Sequence, residues 1–387
     1  MSKATRQAET DEVSAAFHVA LTQIGAQTTA EALALWAEVP VERRAATAGA
    51  WLRKAITLVM SRRRQSRDLA RAYYRLARAL QTGRTVADPY HPEPSYVTLA
   101  DLRREFAELA GTYEPPTEQG GEAATVADGE ASPARPVEDD APQDTPGQAP
   151  GSASGEPLDD EGEEILEAAG TRNEEPDDDE DDDEEDWERI LVEELEGLRE
   201  AEERIERQAE EELRITLEAL GTANLDRRMT LEDADPDEAH RQAGAQQAAA
   251  ASRVAMNGAR STNWNHMSRD RRALGYVRLS RTGTPCGWCA MLISRGPVYK
   301  SRESALFNDG DKYHDNCNCY AMPVWNRDQY QSSELTALSR QYEALWPEVT
   351  KGHSGKAAVT VWRRFIRSKQ RAAAQEARQS TDTAPEA

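Results

Sequence analysis

Four cysteines and one histidine are the residues of this chain best suited to chemistry, and all five fall in one window. Cys286-Gly-Trp-Cys289 is followed, after 24 intervening residues, by His314-Asp-Asn-Cys317-Asn-Cys319. Zinc takes four nitrogen or sulfur ligands in a tetrahedron, and a Cys-x-x-Cys turn supplies two of them. The second pair has to return from elsewhere in the chain, and both His-x-x-Cys and Cys-x-Cys qualify. Five donors thus compete for four places; Cys286, Cys289 and Cys317 form the preferred set, with His314 ahead of Cys319 as the fourth. A redox dithiol at Cys286 and Cys289 is a second reading, but such a motif opens a helix after a thioredoxin-type strand and needs no second Cys/His pair. Two structural disulfides are a third, suited to an oxidising compartment. A catalytic zinc keeps one position open for water. Here four good ligands are at hand and no Glu base stands in register, so the pattern favours a closed, structural ion.

The elements around the window are short. Strands are expected at Tyr276–Leu279, Pro297–Tyr299 and Tyr320–Trp325, with a helical turn at Ala290–Ser294. So small a unit rarely folds on apolar burial alone, and a metal supplies what is missing. Long helices flank it. From Trp187 to Leu220 the stripe Leu191, Leu195, Leu198, Ile205, Ala209 predicts one helix, about 50 Å long at 1.5 Å per residue. The pairs Glu200/Arg204, Glu203/Arg207 and Glu210/Arg214 have the favoured i,i+4 orientation on it. A coiled coil and intramolecular packing both fit that stripe. An alanine-rich helix follows over Glu238–Arg260. Beyond the cysteines, Glu334–Trp346 reads as a helix stopped by Pro347, and a basic helix spans about Ala357–Ala377.

Residues 1–113 read as helical. Trp51–Met60 is helix-compatible, and Leu69, Tyr73, Leu76 and Leu80 recur at helical spacing with Arg67, Arg71, Arg75 and Arg78 interleaved. That bundle ends near Gly83, and a short helix over Leu99–Leu109 closes the segment. The basic run Ser61-Arg-Arg-Arg-Gln-Ser-Arg suits DNA phosphates or an acidic surface, but a solvated helix face is the commoner use of such a run.

Charge divides the chain. From Glu114 to Glu200 there are 33 Asp/Glu against four Arg, a net of −29, so the rest of a chain whose total is −23 nets +6. Residues 114–186 cannot bury enough apolar surface to offset their chain entropy and repel themselves, so an extended, disordered acidic linker is expected. The 38% hydrophobic and 6% aromatic content fits a chain that is only partly core. No run of 18 apolar residues suggests a membrane span, and the N-terminus carries no secretion pattern. The expected fold class is mainly α with a small zinc-stabilised α+β module and a long acidic disordered linker. Six segments are expected: helical 1–113, linker 114–186, long helices 187–272, a Cys/His zinc-knuckle module 273–330, C-terminal helices 331–370 and a disordered tail 371–387.

Arg272-Ala-Leu-Gly-Tyr-Val-Arg, Pro285-Cys-Gly-Trp-Cys-Ala-Met-Leu-Ile-Ser-Arg-Gly-Pro-Val-Tyr, Tyr313-His-Asp-Asn-Cys-Asn-Cys and Pro323-Val-Trp together resemble the MuF-like head-morphogenesis, or minor capsid, proteins of tailed phages. The variety in phages of actinobacteria is the nearest. The resemblance is specific over residues 253–326, extends in weaker form to Glu334–Arg367, and over 1–113 reduces to an Arg-rich helical start. It implies a virion protein assembled in the bacterial cytoplasm, packaged in few copies inside the procapsid near the portal. Its implied role is head assembly or DNA delivery, with the portal as partner and scaffold, major capsid protein and DNA as further candidates. Cys286, Cys289, His314, Cys317 and Cys319 fall on that family's Cys/His positions. Relatives are often described as capsid maturation proteases, which makes a protease the alternative. No Gly-x-Ser-x-Gly or His-Glu-x-x-His occurs, however. Ser294, with His314 and Asp315, is the nearest imaginable nucleophile, and His240, His266 and His353 have no partnered nucleophile. A structural protein is therefore expected rather than an enzyme. A nucleic-acid-binding zinc protein is the third reading; it requires a basic, aromatic-bearing face around the cysteines, and residues 201–387 net only about +2.

Overall fold

Ser2 starts the first helix: its side chain accepts the Thr5 N–H, and α1 then runs over Lys3–Ala37. Helix α2, Arg44–Thr82, joins the two expected N-terminal segments into one and is closed by Gly83 at φ 74°. Helix α3, Leu99–Ala110, has a capping box between Thr98 and Asp101 and ends at Gly111, φ 62°. The computed structural model describes residues 2–86, 88–90, 97–116, 184–280, 285–297, 317 and 319–382. The expected linker thus falls almost wholly outside the described residues.

Helix α4, Glu184–Leu220, contains the predicted long helix and is followed by the short α5, Thr222–Met229. Helix α6, Pro236–Arg269, exceeds the expected Glu238–Arg260 at both ends. Asp235 caps it, Pro236 sits at its first position, and His266 and Arg269 occupy its last turn. Two strands follow, β1 (Gly275–Leu279) and β2 (Tyr320–Val324), with the helix α7 (Gly287–Ile293) between them in the chain. The strands pair antiparallel, Gly275 opposite Val324 and Leu279 opposite Tyr320. The expected strand at Pro297–Tyr299 lies beyond the described residues after its first position. The chain ends in α8 (Arg327–Ser332), α9 (Ala337–Val349) and α10 (Gly355–Asp382). Two boundaries in this last part of the chain also differ from expectation. Pro347 lies inside α9, where the helix has only its last turn to complete and Thr350 N–H still closes onto Trp346 O at 3.0 Å. Helix α10 continues into the stretch read as a tail.

Described residues up to Pro115 and from Glu184 onward form one compact unit. Helices α1, α2 and α6 pack on one another, α4 lies on α6 and α2, and the architecture is mainly helical with one two-stranded sheet. From Leu198 on the α4 stripe packs within the chain: Leu198 and Ala209 are buried and Ile205 half-buried, and Leu213 and Leu217 farther along are buried too. Small residues on α6 let the helices approach closely. A Cβ on Gly258 would lie 2.5 Å from the Arg63 carbonyl oxygen, and one on Gly244 would lie 2.5 Å from the Trp36 ring. One apolar cluster gathers Trp36, Trp51, Val59, Leu213 and Leu217; the other runs from Phe17 and Tyr73 to the sheet and the cysteines.

The basic run corrects the expectation of a solvated face. Arg63, Arg67, Arg71, Arg75 and Arg78 form a stripe on α2 that is buried, not exposed. Arg63 Nε is 2.9 Å from Glu206, and Arg67 Nη2 donates to Glu202 at 3.0 Å, both acids on α4. Arg71 pairs with Asp68 and lies 3.7 Å from Asp88 and from Glu202. Arg75 donates to Glu105 at 2.7 Å, and Arg78 to Asp270 at 2.7 Å. Of that run, Arg64 is exposed. No described helix is long and apolar enough to cross a membrane.

Candidate metal centre

Cys286 precedes α7 and caps it, its Sγ accepting the Cys289 N–H at 3.3 Å. That geometry turns Cys289 inward, where it is 2% exposed. From the other side, Cys317 and Cys319 stand just before β2, and the β1–β2 pairing brings them back against α7. The sulfurs of Cys289, Cys317 and Cys319 lie within 4.8 Å of one another, and Cys289 Sγ is 3.5 Å from Cys317 Sγ. A tetrahedral zinc with sulfur ligands at 2.3 Å has S···S edges of about 3.8 Å. The three thiols therefore suit one soft divalent ion. Cys286, half-buried, lies outside this tightest set, although its thiol also shares a hydrogen bond with Cys289. Cys319, expected second to His314, lies with Cys289 and Cys317, and His314 falls outside the described residues.

The surroundings are electropositive. Arg260 of α6 donates from Nη2 to the carbonyl of Cys317 at 2.6 Å and of Cys319 at 3.2 Å, which fixes the two-cysteine arm. Arg278 of β1 is 1% exposed and adds a second nearby positive charge. Hydrogen bonds from Cys289 and Cys319 hold the Cys317 thiol far below the usual thiol range against the effect of burial, and the two arginines act in the same direction. Cys319 is pushed up to about 12: its bond with Cys289 lowers it, but its donation to Cys317 and its burial outweigh that. Cys289 is raised by hydrogen bonding to Cys286 first, then to Cys317 and Cys319. The cluster thus lies in a buried place flanked by two arginines whose charge favours a deprotonated sulfur. In the sequence Arg278 stands out only as an Arg inside the apolar strand Gly-Tyr-Val-Arg-Leu, and Arg260 only as the end of an expected helix.

The residues weighed for other chemistry sit elsewhere. Ser294 is buried at the end of α7 and its hydroxyl donates to Met291 O at 2.8 Å. His240 Nε2 is 3.0 Å from the Val39 carbonyl and its ring stacks on Trp36. His266 is buried beside the arginine stripe, stacked on Tyr74, with Nε2 3.8 Å from Glu202. Burial and the Arg71 charge push its pKa down to about 3. His353 is exposed.

Comparison with known proteins gives one family. A model described as VG15 protein matches residues 193–345, which is less than half of the chain and contains α4 from its tenth residue, the sheet, all four cysteines and most of α9. The match supports reading the chain as a phage protein. No curated protein and no solved structure matches.

Proposed function

We propose that this chain is a minor head protein of a tailed phage, packaged inside the procapsid beside the portal, with its cysteines holding one structural zinc ion. The observation that carries the reading is the convergence of Cys289, Cys317 and Cys319, buried together inside the stretch matched by the phage family. Cys286, already hydrogen-bonded to Cys289, completes four sulfur ligands, the set of a closed structural site. The ion would tie α7 to β2, and through Arg260 to α6, alongside the apolar core that Ile293, Met322 and Trp362 already form there. The long helices around it then offer rigid surfaces for assembly, as a portal-bound head protein requires.

Mass spectrometry of purified heads tests the assignment. Wild-type heads should contain this chain in few copies, and Cys289→Ser should reduce its incorporation. Ser294→Ala should leave capsid-protein processing unchanged, in keeping with a hydroxyl that serves the helix end. Heads lacking the chain, or precursor accumulation with Ser294→Ala, would overturn the reading, the second in favour of a maturation protease.

A further inference from the structure

Between Glu348 and Glu376 the chain carries seven Lys/Arg and no Asp/Glu, and most of that stretch is α10. One face of the helix is anchored. Ala358, Trp362 and Ile366 are buried, and the Trp362 ring lies 5.1 Å from Trp346 and 5.6 Å from Tyr342. The other face is fixed by that anchoring and points to solvent, where Arg363, Arg364, Arg367, Lys369 and Arg371 are all exposed. Arg363, Arg367 and Arg371 recur every four residues, a row of guanidinia rising about 6 Å at each step. Among the described residues none of these five cations is in a salt bridge. That contrasts with the buried arginines of α2, each of which has carboxylates within reach.

The same face adjoins the cysteine unit. α10 packs on α7, and a Cβ on Gly287, within Cys286-Gly-Trp-Cys289, would be 3.2 Å from the Arg363 Cα. The half-buried Trp288 ring lies 5.7 Å beneath the Arg363 guanidinium. A basic face with an aromatic beside the cysteines is what the whole-segment charge of residues 201–387 conceals, because the acids that offset it lie on other elements. We infer that the exposed face of α10 binds the phosphate backbone of duplex nucleic acid. Protein partners are recognised through a buried apolar centre, and none of the exposed large hydrophobics among the described residues falls on α10. A polar, strongly positive surface of regularly spaced arginines matches a regular polyanion instead.

The test is binding of the full-length protein to a fluorescent 30-base-pair DNA duplex between 50 and 200 mM salt. Each phosphate contact contributes about 0.9 to the slope of log K against log salt. Arg364→Gln/Arg367→Gln/Arg371→Gln should therefore lower the slope by about 2.7 and weaken binding at least tenfold at the lower salt. The Lys-substituted triple at the same positions should retain most of the slope, and thermal melts of both triples should match wild type. Arg199→Gln/Arg207→Gln on α4 should bind as wild type does. Absence of salt-dependent binding, or a Gln triple that binds like wild type, would overturn the assignment. So would equal competition by poly-glutamate at matched charge, which would indicate an acidic protein partner. The assay contains no portal, so its failure would leave the portal reading standing.

Discussion

Glu202→Gln is the sharpest probe of how the helices before and after the acidic stretch hold together. Its carboxylate, 2% exposed, lies 3.0 Å from Arg67 Nη2 and 3.7 Å from Arg71 Nη1. At an effective dielectric constant of about 20, those two charge pairs are worth about 5.5 and 4.5 kcal/mol before desolvation is counted. Taking the carboxylate out of water costs several kcal/mol, so the intact group contributes much less than that sum. The variant is still expensive, because the arginine charges stay buried with fewer anions around them. Breaking a buried pair in this way costs about 3–5 kcal/mol, which corresponds to a fall in Tm on the order of 10 °C. Thermal and urea melts measure it. Arg67→Met in the same background should cost less than the two single changes added together, since the double variant removes both ends of the pair. Glu211→Gln, which removes an exposed partner of Arg214 on the same helix, should leave the melt unchanged. If Glu202→Gln melts like Glu211→Gln, the charged layer between α2 and α4 does not hold the two helices together.

Three further outcomes follow from the geometry. Purified protein should carry about one zinc per chain by elemental analysis. Cys289→Ser and Cys319→Ser should lose it and His314→Ala should keep it; the reverse pattern would return the fourth place to the histidine. Gly258→Ala puts a Cβ 2.5 Å from the Arg63 carbonyl and 2.5 Å from Ser66 Oγ, and should cost about 1–3 kcal/mol in urea melts. Gly197→Ala on α4, with open space around it, should be neutral or stabilising. His266 is held neutral, and it faces Glu202 from α4, Arg71 and Arg75 from α2, with Asp88 and Arg269 nearby. Its folded pKa of about 3 lies below the ordinary 6.5, so the unfolded chain takes up the proton first as pH falls. Stability from this group is present above pH 6.5 and falls by about 2 kcal/mol between pH 7 and pH 5. His266→Gln should remove that part of the pH dependence, and equal pH slopes for variant and wild type would refute the buried neutral ring.

Local features were legible in the sequence where a short-range pattern decides them. The apolar spacing of α2, its end at Gly83, the short helix α3 and the two close cysteine pairs, Cys286/Cys289 and Cys317/Cys319, all depend on residues a few positions apart. What the arginines of α2 do was not legible, because their fate depends on acids far along the chain. Glu202 is 135 residues from Arg67, and Asp270 is 192 from Arg78. An i,i+4 run of arginines looks the same whether it faces water or a carboxylate-bearing helix. The pairings on α4 differ from those expected: Arg199 bonds Glu203, and Arg214 bonds Glu211 and Glu218, while Glu202 and Glu206 turn toward α2. Pro347 misled for the opposite reason. The rule that ends a helix before proline weakens where only one last turn remains, and Trp346 O still finds the Thr350 N–H. At the cysteines, composition identified the donors, but it took the β1–β2 register to place Cys319 among them.

The shared core of α1, α2 and α6 has a consequence for how the protein is made. On the ribosome, α1 and α2 emerge first, with Trp36, Trp51, Arg63 and Ser66 facing a partner helix that does not yet exist. The chain must be extended from Thr82 to Arg269 before α6 can settle between them, roughly 10–40 s at 5–20 residues per second. Throughout that interval a pair of long helices presents tryptophans to the cytosol, and until α4 is made it presents Arg63 and Arg67 without their acids, a surface that invites chaperones and polyanions alike. Completion of α6, and not of the first hundred residues, is the moment at which the N-terminal half becomes safe from misassociation.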